Sequence, residues 1–205
     1  MLTGLFVGLG GILGYIGFMA AILPRPALAP VLFFIGLEIT SQAYGATPKR
    51  HMAAVTVAVL PSVAVVVTIL LSQVYNGALM TSALDPAGTM QATGITNPAF
   101  INTVGVMIML ASGFIVTAML WGAAVAFLTD RQVVPASVTL LICAGLALFG
   151  FIHSVQPSGG IYLPWTIDSR MPWQWAAAYS GLAVMLLLLS RTTGFKSQSG
   201  HVENA

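Results

Sequence analysis

Six stretches of this sequence are long, apolar and almost free of charge, and they decide what the chain can fold into. They are Leu2–Leu23, Ala27–Tyr44, Met52–Val74, Phe100–Leu128, Val134–Ile152 and Trp173–Leu189. A helix needs about 20 apolar residues to cross the hydrocarbon core of a bilayer. None of the six alternates in the manner of a strand, so each predicts a helix. Lipid offers no partner to backbone N–H and C=O groups, and a helix satisfies them within the segment. Phe100–Leu128 is longer than one crossing needs; it either tilts strongly or begins as an interfacial segment.

Composition points the same way. Of 205 residues, 58% are hydrophobic and 6% are Asp, Glu, Lys or Arg. Soluble domains carry roughly 25% charged residues. A soluble chain so poor in charge would not wet its own surface, which excludes an ordinary cytosolic enzyme, a nucleic-acid binder and a disordered tail. The predicted fold is all-α, a polytopic transmembrane bundle of about six helices. Its first partner is the lipid bilayer, and no nucleic-acid partner is expected.

The breaks divide the chain further. Pro24-Arg25-Pro26 stops a helix. Gly45–Arg50 is a turn with a basic patch, and Asp130-Arg131 is a tight polar hinge. Residues 1–74 thus hold three spans, and 75–99 form an extracytoplasmic loop. Residues 100–190 hold three more spans around a Pro- and aromatic-rich loop at 154–172, and 191–205 form a polar cytoplasmic tail. Tyr162, Trp165, Trp173 and Trp175 resemble an interfacial belt. The apolar start is not read as a cleaved signal: no Lys or Arg precedes it, and it exceeds an h-region of about 7–15 residues.

With six crossings, Lys49, Arg50, Arg131, Arg191 and Lys196 share the side of Met1, while Arg25 and Arg170 face the other. The positive-inside rule then puts both termini in the cytoplasm and the chain in the cytoplasmic membrane. The one cysteine, Cys143, excludes an intramolecular disulfide.

Glu38 is the sharpest candidate residue. Counted from Ala29, it lies about 14 Å along its helix, near the midplane. A carboxylate there is costly unless paired, hydrated or protonated, so it marks an interior or a water path. Gln42, one turn on, is placed to hydrogen-bond it. The pair is the candidate for ion coupling or a gate contact; the alternative is a protonated or snorkelling Glu that serves packing. Gly4/Gly8 and Gly10/Gly14 are small-xxx-small pairs that let helices approach closely. Gly8–Gly14 misses dinucleotide-loop spacing by one residue and lacks a strand before it. Pro61 should kink the third helix. Asn102 reads as a cap or an interfacial residue. His153 has no second His or acid nearby in sequence, so no metal site is expected. No G-x-S-x-G or H-E-x-x-H motif occurs, so no catalytic residue is assigned and the chain is not read as an enzyme. No cofactor is expected, and no internal repeat is evident.

One segment has a family likeness. Ala27–Leu37 (ALAPVLFFIGL) is followed by a basic turn, by His51–Val55 and by Ala58–Ala64 with its internal Pro61. This stretch, Pro26–Leu71, resembles the late helices of the xanthine/uracil permeases, the nucleobase:cation symporter-2 family. Thr3-Gly4-Leu5 is similar to the opening of a preceding helix in that family. The likeness covers about the first 75 residues and implies a fold of two inverted seven-helix repeats. Within it, Leu2–Leu23 would close a core domain and Ala27–Val74 would belong to a gate domain. It also implies the same orientation as the charges. The family's substrate-contacting acids lie on helices with no counterpart here, so no binding residue is carried over. The implied protein moves a nucleobase-like solute with H⁺ or Na⁺, and this chain corresponds to its C-terminal portion. Its partners would then be a small solute, a coupling cation, and further transporter helices or a second copy. The alternative is a six-helix accessory or assembly subunit that packs through the glycine face of the first helix.

Overall fold

The computed structural model describes residues 2–15, 18, 25–74, 94, 97–156 and 159–192. The chain divides into two compact units, Met1–Pro48 and Lys49–Ala205. Every secondary-structure element among the described residues is helical. The helices are α1 (Leu2–Ile12), α2 (Arg25–Ala46), α3 (Met52–Val74), α4 (Pro98–Ala111), α5 (Phe114–Thr129), α6 (Val133–Leu148) and α7 (Met171–Thr192), with a 3₁₀ turn at Lys49–His51 before α3.

In the first unit, α1 is shorter than the expected Leu2–Leu23 helix. Leu13 and Gly14 form a turn, and Gly14 has a left-handed φ of 72°. Glycine takes this conformation at no steric cost, so the apolar run is interrupted here; beyond it Tyr15 and Phe18 are again helical, and the Phe18 N–H donates to the Gly14 carbonyl at 3.1 Å. Residues 19–24 lie outside the described residues. α2 begins at Arg25 with Pro26 in its first turn, where a missing N–H costs nothing. It runs two residues past the expected end at Tyr44, to Ala46, and polar side chains on and just beyond it bond its own backbone. Thr40 donates to the Gly36 carbonyl at 2.8 Å, and Thr47 to the Ala43 carbonyl at 2.6 Å.

The second unit is built on small-residue seams. α3 has the bounds the sequence predicts and continues through Pro61, which is buried with Ala54, Ala64 and Thr68. Those positions are seven, three and four residues apart, one face of a helix. α5 packs on this face. Gly122 lies opposite Ala54 and Ala58, and a Cβ built on it would stand 3.3 Å from that of Ala58. α6 packs on α7 through Ala136, Cys143, Ala147 and Ala183, none of which is exposed. Ser137 donates across the seam to the Ala183 carbonyl at 3.3 Å. Close approach of this kind holds helices together where lipid removes the hydrophobic drive.

Phe100–Leu128 is not one tilted helix. It is divided at Ser112–Gly113 into α4 and α5, bent by 83°. α4 starts on Pro98 and is capped by Asn97, whose Oδ1 accepts from the N–H groups of Ala99 and Phe100. The cap is therefore Asn97 and not Asn102, which is exposed. Val104 and Ile108 of α4 pack against Leu71 near the end of α3. α5 and α6 have 16 residues each, about 24 Å of helix. α6 stops at Leu148, short of the expected Ile152. Among the described residues, Lys49–Val74 and Met171–Arg191 are long and apolar enough to cross a membrane, and the bent pair makes three if it counts as one. Among the described residues the elements are thus all helical, with two or three membrane-compatible spans; the six read from the sequence are not confirmed.

Candidate functional site

The sequence candidates fall in different places. On α2, Gln42 Nε2 donates to Glu38 Oε1 at 3.0 Å, so the expected i,i+4 pair forms; both residues are exposed. A Cβ built on Gly4, Gly8 or Gly14 meets no described atom within 4 Å. The close packing expected of that glycine face is therefore not made among the described residues. Pro61 is buried in the second unit, against α5.

A buried polar group with several partners is one that the sequence motifs do not single out as a site: His153. His153 lies in the segment between α6 and α7 with no exposed surface. It sits at the elbow between α4 and α5, and the elbow is built to receive it. Gly113 begins α5 with a left-handed φ of 69°. A Cβ there would collide with the Phe151 carbonyl oxygen and stand 3.0 Å from Ile152 Cα. Only glycine admits the incoming segment this closely. The segment turns back at Gly150, φ 74°, where a Cβ would strike the Tyr162 ring. His153 itself is left-handed, φ 54°. A non-glycine residue in this region costs of order 1–2 kcal/mol and is held by its surroundings.

Those surroundings are specific. The His153 backbone N–H donates to the Ser112 carbonyl at 3.1 Å. Ring Nδ1 lies 3.4 Å from the Met109 carbonyl, and Nε2 lies 2.6 Å from the Tyr179 hydroxyl. Trp121 Nε1 donates to the same hydroxyl at 2.9 Å. The hydrogen count fixes the tautomer. A carbonyl only accepts, so Nδ1 carries the proton. The Tyr179 oxygen accepts from Trp121 and gives its own hydrogen to Nε2. Trp175 stacks on the imidazole, ring centroids 4.0 Å apart. Burial lowers the His153 pKa from 6.5 to about 4, opposed by the contact with the Met109 carbonyl. The ring is neutral at neutral pH.

The arrangement repairs a broken helix. At the end of α4 a single N–H, that of Ser112, is shared between the Ile108 and Met109 carbonyls, and a carbonyl left short of partners is costly away from water. His153 supplies N–H groups to two carbonyls of this end, from a segment about 40 residues further along. Beside the cluster is an open groove of about 190 Å³, lined by Val106, Met109, Met171, Gln174, Trp175 and Ala178. Its walls include Met109 and Trp175, which also contact His153.

At the other end of α5, His51 Nε2 lies 2.8 Å from Asp130 Oδ1, and Arg50 Nε lies 3.5 Å from the same oxygen. This clamp puts the start of α3 and the end of α5 together. Among the described residues, no three of His, Cys, Asp and Glu gather in one place.

The sequence does carry a faint signal for the elbow. Trp175 and Tyr179 are four apart, hence on one face of α7. His153 follows Gly150-Phe151-Ile152 in an otherwise uncharged stretch. Comparison of the chain with family models, curated proteins and solved structures finds no match.

Proposed function

We propose that this chain is a membrane-embedded part of a secondary-active permease of the xanthine/uracil type, moving a nucleobase-like solute with H⁺ or Na⁺. The observation that carries the reading is the elbow at Ser112–Gly113. Non-helical backbone at membrane depth is tolerated where protein buries it or a cavity borders it, and secondary transporters build their sites at discontinuous helices. The resemblance over Pro26–Leu71 supplies the solute class. In this reading Glu38 and Gln42 remain the ion-coupling or gate pair, six segments lie in the cytoplasmic membrane, and the end bearing Lys49, Arg50 and Arg131 faces the cytoplasm.

The glycine face of α1, open among the described residues, favours a second reading, an accessory subunit that assembles with other helices. Uptake separates the two. Cells expressing the complete gene should accumulate labelled xanthine or uracil, and Glu38→Gln should flatten the dependence on external pH or Na⁺. Absence of uptake for every purine and pyrimidine tried defeats the solute assignment and leaves the subunit reading.

A further inference from the structure

His153 joins three helices through one imidazole: α4 by Nδ1 and the Met109 carbonyl, α7 by Nε2 and Tyr179, and α5 through Trp121 on the same Tyr179 oxygen. Every hydrogen in this network is committed. A second ring proton would give the Tyr179 oxygen two incoming N–H donors and strand its own hydrogen in a buried site.

The surroundings offer such a charge the Met109 carbonyl and the Trp175 face, but no anion. α4 and α5 carry no titratable side chain over their lengths. α6 contributes Cys143, and α7 contributes Tyr179, with Arg191 at its far end. The 149–170 segment contributes Tyr162, buried, and Asp168 and Arg170, both exposed. At neutral pH the buried thiol and phenols are uncharged, so no counter-ion faces the ring.

We propose that His153 is a proton-operated latch on the broken helix. Neutral, it holds the end of α4 across the start of α5; protonated, it loses the Tyr179 hydrogen bond, the charged ring leaves its buried seat, and the elbow opens. The groove shares Met109 and Trp175 with the latch, so release reshapes its wall. The proposal does not depend on the identity of any transported solute.

The test uses the full chain in lipid nanodiscs, with nitroxide labels on Asn102→Cys in α4 and Thr129→Cys in α5, and Cys143→Ala to silence the native thiol. Between pH 7 and pH 3.5 the inter-label distance should change in a single-proton transition. His153→Gln keeps a donor and an acceptor but does not titrate in this range, and should abolish the transition. Tyr179→Phe removes the hydroxyl that favours neutral Nε2. It should move the midpoint up by about one pH unit, the tenfold gain in proton affinity that one ordinary hydrogen bond is worth. A distance constant down to pH 3.5, or a transition that persists in His153→Gln, overturns the latch. If His153→Gln does not fold, Tyr179→Phe decides alone, and an unmoved midpoint overturns it.

Discussion

α5 is tethered at both ends by a histidine, and the two tethers differ in kind. At its C-terminal end His51 meets a carboxylate that an arginine also reaches; the His51 and Asp130 side chains are 17% and 25% exposed and that of Arg50 is 68% exposed. At its N-terminal end His153 is wholly buried among a hydroxyl, an indole and backbone carbonyls. Access to water explains the contrast. Where water reaches, charges pair at little cost and little gain. Where it does not, an ion would need full compensation, so the site is built from neutral groups that satisfy one another. The partly buried tether, which water reaches, aligns two helices; the fully buried one defines the shape of the elbow.

Three measurements bear on this contrast. The largest effect belongs to Gly113→Ala, which adds a left-handed penalty to a collision with Phe151 and Ile152. It should cost about 4 kcal/mol in thermal unfolding of the detergent-solubilised protein. A loss below about 1 kcal/mol would mean that the elbow yields and His153 does not hold a rigid joint.

The second effect comes from His153 and pH. Its folded pKa, about 4, lies below the unfolded 6.5. Between these values the unfolded chain binds the extra proton, so stability is fully present above about pH 6.5 and declines as pH falls toward 4. The loss attributable to this ring is roughly 3 kcal/mol, and it should vanish in His153→Gln. An equal acid loss in the variant would place the sensitivity elsewhere. The smallest effect is at the other tether. A double-mutant cycle on His51→Ala and Asp130→Asn should give a coupling of about 0.5 kcal/mol that shrinks as salt is raised. A coupling of several kcal/mol would erase the contrast between the two ends.

Parts of this structure are legible in the sequence because they are local. Met52–Val74 is one uniform apolar run between a basic turn and a polar loop, and it forms α3 with those bounds. The Glu38–Gln42 hydrogen bond needs only i,i+4 spacing. The elbow is not local. Ser112–Gly113 lies inside an apolar run, and glycine is frequent enough in membrane helices to carry no message there. The break is held by Phe151, Ile152 and His153, by Trp175 and Tyr179 of α7, and by Trp121 further along α5. Reading His153 as a metal ligand in search of another His or acid misses it, because its partners are a phenol 26 residues away and a carbonyl 44 residues away. Leu13–Gly14 is a similar lesson: hydropathy sees a continuous segment where one left-handed glycine interrupts the helix.

The shortness of α5 and α6 bears on the lipid around them. Each supplies about 24 Å of helix, while the hydrocarbon core is about 30 Å thick. Beyond the end of α6, Phe149, Phe151, Ile161 and Leu163 are exposed on an irregular segment that bonds its own backbone, as in the Tyr162 N–H to Phe149 carbonyl contact at 3.1 Å. A membrane meeting this side of the protein finds its apolar wall finished by a loop rather than by another helical turn. Hydrophobic mismatch on that side would fall on the loop and on local thinning of the bilayer. The loop that would finish this wall is the segment that carries His153, so the joint lies where the helical wall runs out.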